Sequence, residues 1–190
     1  MSLPNQLSVL RIILTPVFLF LFLSGKTDYI RLSIIVFLIA VLTDWYDGWH
    51  ARKFGLISAF GIFIDPLADK ILTTAAFYCF YVIGIMPLWM VIVIALRDII
   101  ITLLRSYREI KGDTMKTTFI AKTKTFMQMT YIFLILSLIF AMTFNISDPF
   151  RNAISDFLIS DINYYLILSI TLITLYTGIA YLFELNKRNK

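Results

Sequence analysis

Long apolar runs broken by short polar punctuation organise this chain. A helix needs about 20 mostly apolar residues to cross a bilayer. Six such runs are present, at about 7–24, 30–52, 58–83, 87–108, 119–144 and 162–185. The breaks between them are "SGKTD", "RKFG", "GIMP" with Gly84 and Pro87, the polar "SYREIKGDTMK", and "NISDPFRNAISDFLISD". The last of these is long enough for a short interfacial helix. The pattern predicts an all-α integral membrane protein, one domain over 1–190, with six transmembrane helices. At the start, "SLPNQLSVLR" puts Pro4 in a first helical turn. Asn5, Gln6 and Ser8 before Arg11 fit either a segment lying in the interface or a plain entry helix. The first run begins only after Arg11, and "FLFLFLSGK" has no small-x-small cleavage site, so it is read as a retained span.

Composition sharpens this picture. The chain is 59% hydrophobic with mean hydropathy +0.84, above the roughly half-apolar norm of soluble domains. Its net charge of +5 is distributed unevenly. Twelve basic residues fall in one set of loops and tails, among them Arg52, Lys53, Arg105, Arg108, Lys122, Lys124 and Lys187; only Lys26, Arg31 and Arg151 fall opposite. The positive-inside rule then puts both termini in the cytoplasm of a multi-pass cell-membrane protein. No basic patch joins a soluble module, so a nucleic-acid partner is not expected. The lone Cys79 supports neither a disulfide nor a thiolate metal site.

One stretch breaks the apolar rule. Residues 44–70 read DWYDGWHARKFGLISAFGIFIDPLADK and carry Asp44, Asp47, Asp65 and Asp69. A charge at the bilayer centre costs a few kcal/mol or more. On helices, Asp44 and Asp47 share a face at i, i+3, and Asp65 and Asp69 at i, i+4. Folding the hairpin about residue 56 puts Asp47 and Asp65 nine residues on either side. All four acids then lie at similar depth, roughly 13–20 Å from the turn, in the cytoplasmic half. Four carboxylates together raise one another's pKa unless cations join them. Hard oxygen ligands suit Mg²⁺ or Mn²⁺, and two ions would suit displacement at phosphorus. Gly48, Ala51 and Gly61 keep this face thin, as helix packing alone would also ask. Arg52, on the cytoplasmic side of the acids, is placed to hold a phosphate or to anchor the helix at the interface.

Written out, the stretch is D-x2-D-G-x2-A-R-x8-G-x3-D-x3-D, which resembles the signature of the CDP-alcohol phosphotransferase family at every fixed position. The resemblance implies a six-helix transmembrane fold, usually a homodimer. It also implies a reaction in which a hydroxyl attacks the β-phosphorus of a CDP-linked donor and displaces CMP. By position, Asp44, Asp47 and Asp65 resemble the metal ligands. Asp69 resembles the general base, with a possible metal contact of its own. Gly48, Ala51, Arg52 and Gly61 resemble the CDP-binding positions, beside Asp47, and Thr43 could reach the nucleotide.

The acceptor has to be sought elsewhere. "LRDIIITLLR" contains Arg97, Asp98 and Arg105; "FIAKTKTFMQM" contains Lys122, Lys124, Thr125 and Gln128. Arg97 with Asp98 could be an internal ion pair, and the lysines could be topology signals. Together, Arg97, Arg105, Lys122, Lys124 and Thr125 would make an anion site on the same side of the membrane as the acids, suited to an acceptor that already carries phosphate. This resembles the branch of the family that joins CDP-diacylglycerol to glycerol 3-phosphate, which implies phosphatidylglycerol phosphate as product. Ala121 stands where that branch usually has Gly, and Asp98 where Glu is also common. Within the family, the rival acceptors are inositol phosphate, serine and phosphatidylglycerol. Outside it, a membrane prenyltransferase would place its acidic motifs on separate helix pairs. A cation transporter would spread its acids across the membrane and show repeats.

Overall fold

The structure, a computed structural model, describes residues 3–54, 59–112 and 119–188, with side chains at 6–43, 61, 63–112 and 120–185. The described residues form helices joined by short turns, without strands: α1 (Leu3–Leu23), α2 (Thr27–Phe54), α3 (Ala59–Val82), α4 (Leu88–Ile110), α5 (Phe119–Met142), α6 (Asp148–Leu158) and α7 (Asp161–Arg188). Six of these match the six apolar runs, and α6 is the short helix expected between the fifth and sixth.

The punctuation acts as expected. Gly84 takes φ +82 after α3, a conformation that glycine adopts without steric cost. There the Ile85 amide donates to the Phe80 carbonyl and the Gly84 amide to that of Tyr81, each at 2.9 Å. This is a Schellman stop. Pro87 then precedes α4 in an extended conformation. α1 is helical from Leu3 and buries Ser8 and Arg11 completely.

α1 packs on both α2 and α3, α3 on α4, α4 on α7, and α7 on α5. Phe18, Phe37, Phe77, Phe80, Met90, Ile132, Ile135 and Ile167 fill the core. Phe18 and Phe37 join α1 to α2 with ring centroids 5.3 Å apart. The periphery is as greasy as the core: Phe20, Phe126, Tyr176 and Phe183 point outward. So many exposed large apolar side chains suit a chain whose solvent is lipid. Among the described residues, three helical stretches are long and apolar enough to cross a membrane by length and composition alone: Gln6–Leu23, Ile120–Met142 and Asp161–Leu185. α2, α3 and α4 are of similar length but carry the acids and cations described below. The chain is an all-helical membrane protein. α6 lies against the other end of the bundle, burying Ile154 and Leu158 and exposing Phe150.

Candidate functional site

Two poles of charge meet inside the helical bundle. The acidic pole is on α3, where Asp65 and Asp69 are both part-buried, one turn apart. Gly61, a further turn back, is buried. Asp65 is held from α1. Ser8 Oγ donates to Asp65 Oδ1. The fully buried Arg11 donates from Nη1 to the Asp65 carbonyl at 3.5 Å and from Nε to the Ala40 carbonyl of α2 at 3.4 Å. One guanidinium therefore ties α1, α2 and α3 together beside the acids. Thr43 Oγ1 donates to the same Ala40 carbonyl at 2.8 Å, so its hydroxyl is engaged within α2. Asp44, Asp47, Gly48, Ala51 and Arg52 belong to α2, but their side chains lie outside the described residues.

The described donors have the right chemistry for a hard divalent cation, since Asp65 and Asp69 offer only carboxylate oxygens. Among the described residues no group of three acids, histidines or cysteines assembles. A metal site at this pole therefore needs ligands beyond α3.

The cationic pole is a cavity of about 560 Å³. Every residue assigned from sequence to the anion site lines it: Arg97 and Arg105 from α4, and Lys122, Lys124 and Thr125 from α5. α7 closes it with Thr177, Tyr181 and Glu184. Arg97 and Asp98 form the internal ion pair. Asp98 is buried at 3% exposure and accepts from Arg97 Nη1 at 3.0 Å and from Lys124 Nζ. A buried carboxylate shared by two cations offsets their burial and fixes where they stand. Arg97 Nη2 donates to Thr177 Oγ1 at 2.8 Å, which ties the same guanidinium to α7. Gln128 is buried and donates to Thr174 at 3.4 Å, a link between α5 and α7.

Lys70 joins the poles and was not singled out from sequence. Its Nζ lies 2.8 Å from Asp69 Oδ2, and its side chain lines the cation cavity. The available signal was its place directly after Asp69, in mid-span, where topology asks for no lysine. Ser8 and Thr177 were also missed, because small residues in a span look like packing residues until their partners are known.

Comparison with known proteins shows the family. The family model of the CDP-alcohol phosphatidyltransferases matches residues 1–179. The CDP-diacylglycerol–glycerol-3-phosphate 3-phosphatidyltransferase of Bacillus subtilis (strain 168) is 38% identical over 140 residues, covering 67% of this chain and 72% of the relative. The protein of the same name from Wigglesworthia glossinidia brevipalpis is 37% identical over 145 residues, covering 72% and 77%. A probable phosphatidylglycerophosphate synthase of Mycobacterium tuberculosis (strain ATCC 25618 / H37Rv) is 33% identical over 130 residues, covering 67% of this chain and 62% of the relative.

Proposed function

Since this chain belongs to the CDP-alcohol phosphatidyltransferase family, we propose that it transfers the phosphatidyl group of CDP-diacylglycerol to glycerol 3-phosphate, giving phosphatidylglycerol phosphate and CMP. The observation that carries the choice of acceptor is the cavity in which Arg97, Arg105, Lys122, Lys124 and Thr125 converge, joined to the acidic pole through Lys70. A phosphate brings the anion that those four cations favour, and an acceptor without phosphate lacks it.

In this reading Asp44, Asp47, Asp65 and Asp69 hold two Mg²⁺ or Mn²⁺ ions. When bound, these supply positive charge against the donor diphosphate. Gly48, Ala51 and Gly61 let the nucleotide approach the helix backbones, with Thr43, Asp47 and Arg52 as its polar contacts. Asp69 takes the proton of the acceptor hydroxyl. The freed oxygen forms a bond to the β-phosphorus, the bond from that phosphorus to the bridging oxygen breaks, and the electron pair leaves with CMP. Arg97 and Lys124, fixed by Asp98, hold the acceptor phosphate so that the hydroxyl arrives correctly oriented.

The architecture that suits this chemistry is one domain over 1–190, six spans, both termini cytoplasmic, a site opening to the cytoplasm and a homodimer in the cell membrane. The test is CMP release by purified protein with CDP-diacylglycerol, Mg²⁺ or Mn²⁺, and each alcohol in turn. Release is expected with glycerol 3-phosphate and not with serine, inositol or glycerol. Release only with inositol phosphate or another acceptor would overturn the choice of alcohol. No release with any acceptor from folded protein would overturn the reaction class.

A further inference from the structure

We propose that Lys70 is a specificity-determining residue: its ammonium bridges the base Asp69 and the acceptor's phosphate, and so fixes the distance between the attacking hydroxyl and that phosphate. This rests on the reading of the cation cavity given above. Lys70 is the cation that α3, the helix of the acids, contributes to the cavity; the others come from α4 and α5. Its side chain is only 14% exposed, so it is not a surface anchor. Among the described residues Asp69 is the sole hydrogen-bond partner of its ammonium, at 2.8 Å. A lysine has three donors. Among the described residues one is used on Asp69 and two are left, on a wall shared with Arg97 and Lys124.

That position acts as a ruler. A charge-assisted hydrogen bond from Nζ to a phosphate oxygen is about 2.8 Å long. The phosphate oxygen then lies within roughly 5.6 Å of Asp69 Oδ2, and the hydroxyl that Asp69 deprotonates lies one further hydrogen bond away at most. Hydroxyl and phosphate oxygen are therefore no more than ~8.4 Å apart when the hydroxyl meets Oδ2, and no more than roughly 10–11 Å when it meets Oδ1. A three-carbon alcohol phosphate satisfies either limit. An alcohol without phosphate has nothing for Lys70 to hold, and reaches Asp69 unoriented.

The test compares Lys70→Gln and Lys70→Arg with the wild-type enzyme, using CMP release at saturating CDP-diacylglycerol. For Lys70→Gln the KM for glycerol 3-phosphate should rise at least about tenfold, as expected for loss of a charge-assisted contact. Its preference for glycerol 3-phosphate over glycerol should fall by a similar factor, while the KM for CDP-diacylglycerol stays within about twofold. Lys70→Arg should restore most of the acceptor affinity. A fall in kcat alone, with acceptor KM and preference unchanged, would overturn the proposal and leave Lys70 as a support for Asp69. Should Lys70→Gln show no turnover, calorimetric titration with glycerol 3-phosphate decides: lost binding supports the proposal, and retained binding overturns it. Wild-type protein that ignores glycerol 3-phosphate would instead remove the functional reading beneath it.

Discussion

Adding one methyl group at Gly178 would test how the cation cavity is held in shape. A Cβ there would meet Arg97 Cγ at 2.8 Å, Nε at 3.1 Å and Cδ at 3.5 Å. Carbon atoms in contact settle near 3.5–4.0 Å, so Arg97 must shift by roughly 0.7 Å or more. Its guanidinium is tethered at both ends, to Asp98 at 3.0 Å and to Thr177 at 2.8 Å. A stem displaced by that amount breaks at least one tether. A hydrogen bond involving a charged group contributes about 1.5–3 kcal/mol, which is roughly a 10–150-fold change at 1.36 kcal/mol per tenfold. Gly178→Ala should therefore raise the KM for glycerol 3-phosphate by a factor in that range and leave the KM for CDP-diacylglycerol nearly unchanged. Within a helix the same substitution removes a glycine and favours folding by about 0.5–1 kcal/mol. The clash itself costs about 1–3 kcal/mol, so thermal stability should fall modestly; an unchanged KM for CDP-diacylglycerol beside a raised acceptor KM separates a displaced Arg97 from general damage. The assay is CMP release against glycerol 3-phosphate at saturating donor, with thermal unfolding in the same detergent. An unchanged acceptor KM would refute the argument that α7 positions Arg97.

Two further outcomes follow from the acidic pole. Asp69→Asn keeps the shape of the side chain and removes the base, so turnover should fall by at least ~10²-fold while CDP-diacylglycerol still protects the protein against thermal unfolding; normal turnover would remove Asp69 as base. Ser8→Ala deletes the hydroxyl that holds Asp65 Oδ1, and loss of an outer-shell partner of a metal-binding carboxylate should raise the Mg²⁺ concentration for half-maximal activity by ~10-fold or more; an unchanged metal titration would reduce Ser8 to a packing residue.

The helices were legible because each rests on a local signal. Gly84 and Pro87 end one span and start the next, and "DPFRNAISDFL" carries an apolar stripe with proline at its start. The ends moved by a few residues: α1 begins at Leu3 and α2 at Thr27, where Asp28 sits in the first turn and suits the positive end of the helix dipole. The clustering of the cations was legible for an energetic reason. Arg97 and Lys124 inside apolar segments had to find an acid or a ligand, and Asp98 was the available acid. What the sequence could not display were contacts between helices far apart in the chain. Ser8 reaches Asp65 across 57 positions, and Arg97 reaches Thr177 across 80. Neither serine nor threonine departs from what helix packing in a membrane would require. Lys70 was hidden differently, standing beside a residue whose role was already assigned.

The central claim is that the acceptor's phosphate sits in the cation cavity and stays on the acceptor through the reaction. The most direct measurement follows ³²P-labelled glycerol 3-phosphate into lipid, alongside CMP release, with purified protein in CDP-diacylglycerol micelles. The account predicts one labelled lipid formed per CMP, with the label in a terminal phosphomonoester that a phosphatase removes. CMP release without labelled lipid, or label that phosphatase cannot reach, would contradict it.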